Sequence, residues 1–193
     1  MTTGAISAFY PAGMVTDFID GKYVVNLPEV QKHTEGSFDK EAYLMGAYAT
    51  VTENSNPNLE FKSLCSVLDL RVTSSYDTQV KRIVISSTSP LSGKGEVTLK
   101  ADTKELTMAS DANTSVILDC GETGVQVTAG TPKNFYVVVP SQDYENLRIN
   151  VETTDGKFQI FNNTKKITLA KAKLAPVSLV YNNAKSLPVL STS

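Results

Sequence analysis

The feature that most constrains the fold is the apolar-rich run at residues 59–72. It begins with alternating apolar and polar residues and becomes densely apolar between Leu64 and Leu70. Alternation predicts a strand with one face in water, whereas a continuous apolar run predicts a strand covered on both faces. A second β-branched segment, residues 80–85, follows it. We therefore expect a strand that starts half-buried and then runs through a core, with the downstream strands packing onto it.

Short β-forming segments separated by Gly, Pro, Asn and Ser continue along the chain. Besides the two segments above, the predicted strands are residues 21–27, 46–51, 96–100, 105–108, 116–120, 134–140, 167–169 and 173–181. Prolines end two of them, and no segment has a helical period over two full turns. Many short strands divided by frequent turns are typical of a sandwich. The sequence thus predicts an all-β protein, a β-sandwich of mostly antiparallel strands.

The clearest local signal is a hairpin over residues 147–161. Asp155 and Gly156 form the dipeptide that a two-residue type I′ turn favours, since both central residues need positive φ. A turn centred there would pair Val151 with Ile160 on one face of the ribbon. We predict this hairpin in that register.

Composition and charge exclude several classes of function. The net charge is −2, the pI is about 5.5, and the basic residues form no extended cluster. A phosphate-binding footprint is therefore missing, and we expect no nucleic acid partner. No apolar run approaches the roughly 18 residues that a membrane-spanning helix requires. We expect no transmembrane helix.

The sequence contains no recognisable catalytic, cofactor-binding or metal-binding motif. Its one histidine, His33, lies in a polar stretch without the His or Cys neighbours of a zinc site, and we predict a solvated surface histidine. There is no Gly-x-Ser-x-Gly elbow, no phosphate loop and no calcium loop. We therefore predict a non-enzyme with no cofactor and assign no ligand-binding residue.

Two cysteines, Cys65 and Cys120, lie in apolar strand patterns. We interpret them as small buried hydrophobic residues. A disulfide between them would require an oxidising compartment, and the sequence alone does not decide whether it forms.

Pro and Gly residues are spread evenly along the chain, as connections between strands would be, and no stretch resembles a domain boundary. We therefore predict one domain over residues 1–193. Its tail, residues 182–193, loses the alternating pattern. We expect this tail to be mobile or to await a partner.

Several short sequence motifs occur in an order that is typical of a known family. They are Phe9-Tyr-Pro11, Val25-Asn-Leu-Pro28, Leu44-Met-Gly-Ala47, residues 59–68, Ile83-Val-Ile-Ser86, Pro90-Leu-Ser-Gly93, Leu118-Asp-Cys-Gly121, Phe135-Tyr-Val-Val-Val-Pro140 and residues 147–151 before Asp155-Gly156. Together they resemble the fimbrillin-like proteins, the major and minor fimbrial subunits and related surface lipoproteins of Gram-negative gut and oral anaerobes. The resemblance covers residues 9–181, and the order and spacing of the motifs carry it.

The resemblance implies a transthyretin-like, Greek-key type sandwich, export as a lipoprotein, and a place in fimbriae at the cell surface or outer membrane. It also implies assembly with other subunits, or with a second copy, by strand addition. Residues 184–193 could supply such a strand, although Pro188 would interrupt the ladder and a frayed terminus is the alternative. The sequence shows neither the lipidated cysteine nor room for the second sandwich of many family subunits, so the resemblance leads us to expect an N-terminal-type module or a small accessory subunit. Membrane attachment is expected only through a lipid anchor not present in this chain.

Two alternatives remain beside this cell-surface adhesion function. A glycan-binding module would need exposed aromatic rings in one platform, and the candidates are Tyr10, Tyr23, Tyr43, Tyr48 and Tyr136. Most of them alternate with core residues, which favours packing within sheets. A carbohydrate-active enzyme would need two carboxylates facing each other in a cleft.

Overall fold

The computed structural model of the protein describes residues 3–54 and 56–186. The strands, in chain order, are β1 (Thr3–Tyr10), β2 (Val15–Ile19), β3 (Lys22–Leu27), β4 (Val30–Lys32), β5 (Met45–Thr52), β6 (Lys62–Ser63), β7 (Cys65–Ser74), β8 (Thr78–Ser86), β9 (Gly93–Leu99), β10 (Lys104–Met108), β11 (Ser115–Asp119), β12 (Val125–Val127), β13 (Lys133–Pro140), β14 (Asp143–Tyr144), β15 (Leu147–Thr153), β16 (Lys157–Asn163), β17 (Ile167–Thr168), β18 (Leu174–Tyr181) and β19 (Lys185–Ser186). Helical structure in the described ranges consists of two 3-10 turns, Ala12–Met14 and Lys40–Ala42. Neither is long enough to cross a membrane.

The strands form several sheets, two of which face each other across the larger core. The large sheet has the order β19-β16-β15-β8-β11-β4, and β12 also pairs with β8. The central sheet has the order β13-β7-β18. Smaller sheets have the orders β1-β5-β6 and β10-β9-β3-β2, and β14 pairs with β17. Two pairings between described strands are parallel, β4 with β11 and β7 with β18.

Two hydrophobic clusters lie on the two faces of the central sheet. The first cluster packs Leu68 and Leu70 of β7 against the large sheet. The second cluster contains Cys65 and Val67 of the same strand together with residues of the small sheets. Because neighbouring residues of a strand point to opposite faces, β7 takes part in both clusters. This explains why every residue from Cys65 to Leu70 is buried.

The predicted all-β class and sandwich architecture are confirmed. The prediction that the apolar run is covered on both faces is also confirmed, although regular pairing begins at Lys62 and Phe61 is exposed. β8 follows β7 directly in the chain but pairs with β11, β12 and β15 in the facing sheet. The partners of β7 are instead β13 and β18, which come much later in the sequence.

The hairpin of β15 and β16 is present, but the predicted register is wrong by one residue. Val151 lies opposite Gln159, not Ile160. The amide of Gly156 donates to the carbonyl of Thr153 at 3.2 Å, and of the two turn residues only Gly156 has positive φ. This is the three-residue loop in which glycine follows a type I turn and forms a bulge. Asp-Gly suits this loop as well as the two-residue turn, so the dipeptide alone does not fix the register.

Several strands lie outside the predicted ranges, among them β2 and β4. β2 pairs with β3 around Asp20 and Gly21, which both have positive φ, as a type I′ turn requires. β4 lies in the polar stretch before His33 and pairs with β11.

The tail is described as far as Ser186. Lys185 and Ser186 pair with Phe158 and Lys157 at the outer edge of the large sheet. Residues 187–193, the remainder of the segment predicted to be mobile, lie outside the described residues. The prediction of one domain over residues 1–193 stays a prediction.

Candidate functional site

The sandwich formed by the large and central sheets is closed by hydrogen bonds along one side. Gln31, in β4, is buried and reaches the edge of β13. Its side-chain nitrogen donates to the carbonyl of Val138 at 2.7 Å, and its side-chain oxygen accepts from the amide of Val138 at 2.9 Å. The amide group of one side chain therefore occupies the place of a neighbouring strand.

The opposite side of the sandwich lies between the edge strands β16 and β18, and one glutamine joins them at one end. The side-chain nitrogen of Gln159 donates to the carbonyl of Val180 at 3.1 Å. Its oxygen accepts from the amides of Asn182 and Asn183 at 2.9 and 3.1 Å. The chain crosses from β18 to β19 at this point, so this end is closed.

Further along the same side, an apolar groove of about 420 Å³ opens between β16 and β18. We call it the inner groove. Part of its lining is Asn162, Asn163, Pro176 and Ser178. The rest is apolar and consists of Leu147, Ile149, Phe161, Ile167, Val177 and Leu179. All six belong to the first cluster or pack against it. Phe161, Ile167 and Val177 are half-buried, so the margin of the hydrophobic core is exposed in this groove.

The two edges of the inner groove differ in the backbone groups they offer. The amide of Val67 donates to the carbonyl of Lys173 at 3.0 Å. The backbone N–H and C=O groups of Lys173 and of every second residue after it therefore point toward β7. The backbone nitrogen of Pro176 therefore points away from β7, toward the open side, and as a proline nitrogen it has no N–H to donate. The outward carbonyl of Val180 is already bonded to Gln159. A proline at such a position blocks pairing with another strand.

The edge of β16 has more backbone groups available for pairing than the edge of β18. β19 pairs with Lys157 and Phe158, and beyond Gln159 none of the described strands pairs with the outward side of β16. Residues 160–163 therefore form a short edge whose alternate N–H and C=O groups point away from β15.

A second concavity of about 520 Å³ lies beside the same edge, on the outer face of the large sheet. We call it the outer hollow. It is lined by Arg148, Phe158, Gln159, Ile160, Asn162, Asn183 and Lys185. Neither Arg148 nor Lys185 forms an ion pair with a carboxylate of the described residues. The hollow thus combines the apolar side chains of Phe158 and Ile160 with three amide side chains and two cations that form no ion pair among the described residues.

The five tyrosines considered for a glycan platform do not all lie at the surface. Tyr23, Tyr43, Tyr48 and Tyr136 are half-buried against the second cluster. Tyr23 packs edge-on against Phe9, with ring centroids 4.7 Å apart. Tyr10 is 40% exposed and is the one exposed ring of the five. Packing within sheets, the interpretation favoured by the sequence, describes the other four.

The prediction of a solvated His33 is wrong, because its side chain is only 11% exposed. The backbone amide of His33 donates to the carbonyl of Asp119 at 2.9 Å, continuing the pairing of β4 with β11. This turns the imidazole onto Phe135, with ring centroids 5.4 Å apart. The nearest carboxylate oxygen, on Glu35, is 3.5 Å from Nε2.

Other chemically reactive groups are buried or engaged. Burial raises the pKa of Cys65 to about 12 and that of Cys120 to about 12. Both are free thiols, and they lie in different clusters. Among the described residues, the two buried carboxylates are Asp69 and Glu152, which form ion pairs with Arg71 at 2.8 Å and Arg82 at 2.6 Å, respectively.

The described residues contain no group of three or more His, Cys, Asp or Glu side chains that could hold a metal ion. The inner groove and the β16 edge were not identified from the sequence. They result from pairing between distant segments, and the sequence pattern carries no direct sign of either.

Comparison with solved structures gives the same fold. The chain is similar to a protein from Bacteroides ovatus that is provisionally named as a cell adhesion protein, with a TM-score of 0.58 and 13% identity. The match covers 96% of this chain and 66% of the other. A Bacteroides uniformis protein with the same provisional name matches with a TM-score of 0.56 and 14% identity, over 94% of this chain and 72% of the other.

These identities establish similarity of fold alone, and the chain spans just under two thirds of the length of the Bacteroides ovatus protein. No family model matches the sequence, and no curated protein is significantly similar to it.

Proposed function

We propose that the chain is a non-enzymatic cell-surface adhesion protein, a fimbrial subunit or fimbria-associated component that assembles by strand addition. The observation that carries the proposal is the open side of the sandwich. There, the inner groove exposes the margin of the core beside residues 160–163 of β16, whose outward side pairs with none of the described strands. A strand added at this edge would gain backbone hydrogen bonds and bury apolar side chains in the groove.

The asymmetry between the sides of the sandwich supports this proposal. Gln31 closes one side with two hydrogen bonds, and Pro176 blocks the neighbouring β18 edge on the other. The β16 edge has neither protection. Proteins usually protect exposed strand edges against pairing, so an unprotected edge beside an apolar groove favours a partner. The names of the two Bacteroides proteins agree with a role in adhesion.

The proposed partners are other fimbrial subunits or a second copy of the chain, and the proposed location is the fimbrium at the outer membrane. The test is immunogold labelling of intact cells that express the protein. We expect label along filaments or at their tips. Label spread evenly over a surface without filaments would contradict the fimbrial proposal and direct the work to glycan screening.

Strand addition at the inner groove is tested by a matched pair of variants. Val177 lines the groove, whereas Val180, on the opposite face of the same strand, is 55% exposed. We expect Val177→Arg to abolish incorporation into filaments and Val180→Arg to leave it unchanged. Circular dichroism checks that each variant folds, and Val177→Asn replaces the arginine variant if that variant unfolds. Equal incorporation of the groove variants and Val180→Arg would contradict addition at this groove.

A further inference from the structure

The inner groove and the outer hollow flank one edge strand. β16 places Phe161 in the inner groove, while Phe158 and Ile160 line the outer hollow. The register agrees, because Ile149 lies opposite Phe161, and Arg148 lies opposite Asn162. A strand paired with residues 160–163 would point its side chains alternately into these two spaces. The chemistry of the two linings therefore constrains the sequence of that strand.

The inner lining favours apolar side chains. Its six apolar residues belong to the first cluster or contact it, and Leu147, Ile149 and Leu179 are nearly inaccessible to solvent. A charged side chain placed there would lose hydration without gaining a partner of opposite charge, since none of the lining residues is charged.

The outer lining favours negative charge. Arg148 and Lys185 are exposed and carry no ion pair among the described residues. Glu152, the buried carboxylate on the same sheet face, does not neutralise them. Its two oxygens accept from Arg82 at 2.6 Å and from the side chain of Asn150 at 2.8 Å. Two cations therefore remain available to a ligand beside the edge.

We propose that the β16 edge selects a strand in which acidic residues alternate with apolar ones. The acidic side chains face Arg148 and Lys185, and the apolar side chains enter the inner groove. This inference rests on the proposed strand addition and adds the chemistry of the partner. Residues 184–193 of a second copy contain no Asp or Glu, so the selected strand comes from another subunit or from another segment of the chain. An acidic saccharide would also suit the cations, but it would use the outer hollow alone. A strand uses the edge and both linings.

The test measures binding of short synthetic peptides to the folded chain by calorimetry at low salt. Valine alternates with aspartate in the first peptide, with asparagine in the second and with lysine in the third. We expect the aspartate peptide to bind about fivefold to tenfold more tightly than the asparagine peptide, because each of two exposed ion pairs contributes modestly. We expect the lysine peptide to bind most weakly, and the differences to shrink as salt is raised.

Charge reversal assigns the selectivity to the two cations. The variant R148E/K185E should reverse the order, so that the lysine peptide binds more tightly than the aspartate peptide. The control K40E/K100E makes the same change in charge at two exposed lysines outside both spaces. We expect that control to keep the order of the unmodified chain.

The outcomes separate this inference from the proposed function. Equal binding of all three peptides would overturn the acidic preference while leaving strand addition supported. The acidic preference would also be overturned if R148E/K185E bound the three peptides in the same order of affinity as the unmodified chain. Absence of binding by every peptide would overturn both. A different result would identify a saccharide site instead: a free uronic acid binds the unmodified chain but not R148E/K185E, and no peptide binds.

Discussion

Gln31 illustrates how one side chain can terminate a sheet. It lies in a polar stretch of the sequence, and glutamine is mostly exposed to solvent in folded proteins. In the structure it is 2% exposed and satisfies both backbone groups of Val138. The sequence could not indicate this, because the partner is more than a hundred residues away. Its role exists only once β4 and β13 lie side by side.

We predict that Gln31→Leu lowers the free energy of unfolding by about 2–6 kcal/mol. Leucine has a similar size, but it leaves the N–H and C=O of Val138 buried without partners, at about 1–3 kcal/mol each. Urea denaturation followed by circular dichroism measures the change. Gln79→Leu, at an exposed position of β8, is the control and should change stability by less than about 0.5 kcal/mol. Equal effects of the two substitutions would show that the contact with Val138 contributes nothing.

At the scale of elements, the hairpin of β15 and β16 separates what the sequence determines from what it does not. Alternating residues around Asp155 and Gly156 correctly predicted two antiparallel strands and the position of the loop between them, but not the type of turn. The register depended on whether one or two turn residues adopt positive φ, and both loops accept Asp-Gly. The observed register puts Phe161 beside Ile149 in the core. Burial against the facing sheet, which local pattern does not contain, is consistent with this choice.

We predict that Gly156→Ala lowers the free energy of unfolding by about 1 kcal/mol. Gly156 has a φ of 75°, a conformation that alanine adopts only with strain. Gly13→Ala is the matched control, since an added Cβ meets no atom within 4 Å at either glycine and Gly13 does not have positive φ. Denaturation midpoints compare the two. A loss of stability for Gly13→Ala as large as that for Gly156→Ala would exclude backbone strain as the cause.

At the scale of the whole molecule, the pattern of residues 59–72 predicted burial on both faces, and β7 meets that expectation. The pattern could not predict what covers each face. The strands paired with β7 follow it by many residues, and the next strand in the chain joins the facing sheet. Long-range pairing also determines the open side of the sandwich. The candidate site therefore emerges only from the assembled fold, whereas the fold class was accessible from alternation and turns.

Because β7 contributes to both clusters, we predict that the molecule unfolds in one cooperative transition. Leu64→Ala removes a buried side chain from the second cluster, and Leu68→Ala removes one from the first. Each should lower the free energy of unfolding by about 2–5 kcal/mol. Hydrogen exchange measured by mass spectrometry in urea should show both variants lowering protection in both clusters, since the shared strand cannot leave one without exposing the other. If Leu64→Ala lowered protection only around the second cluster, the two clusters would be independent units, and the prediction of a single domain would be wrong.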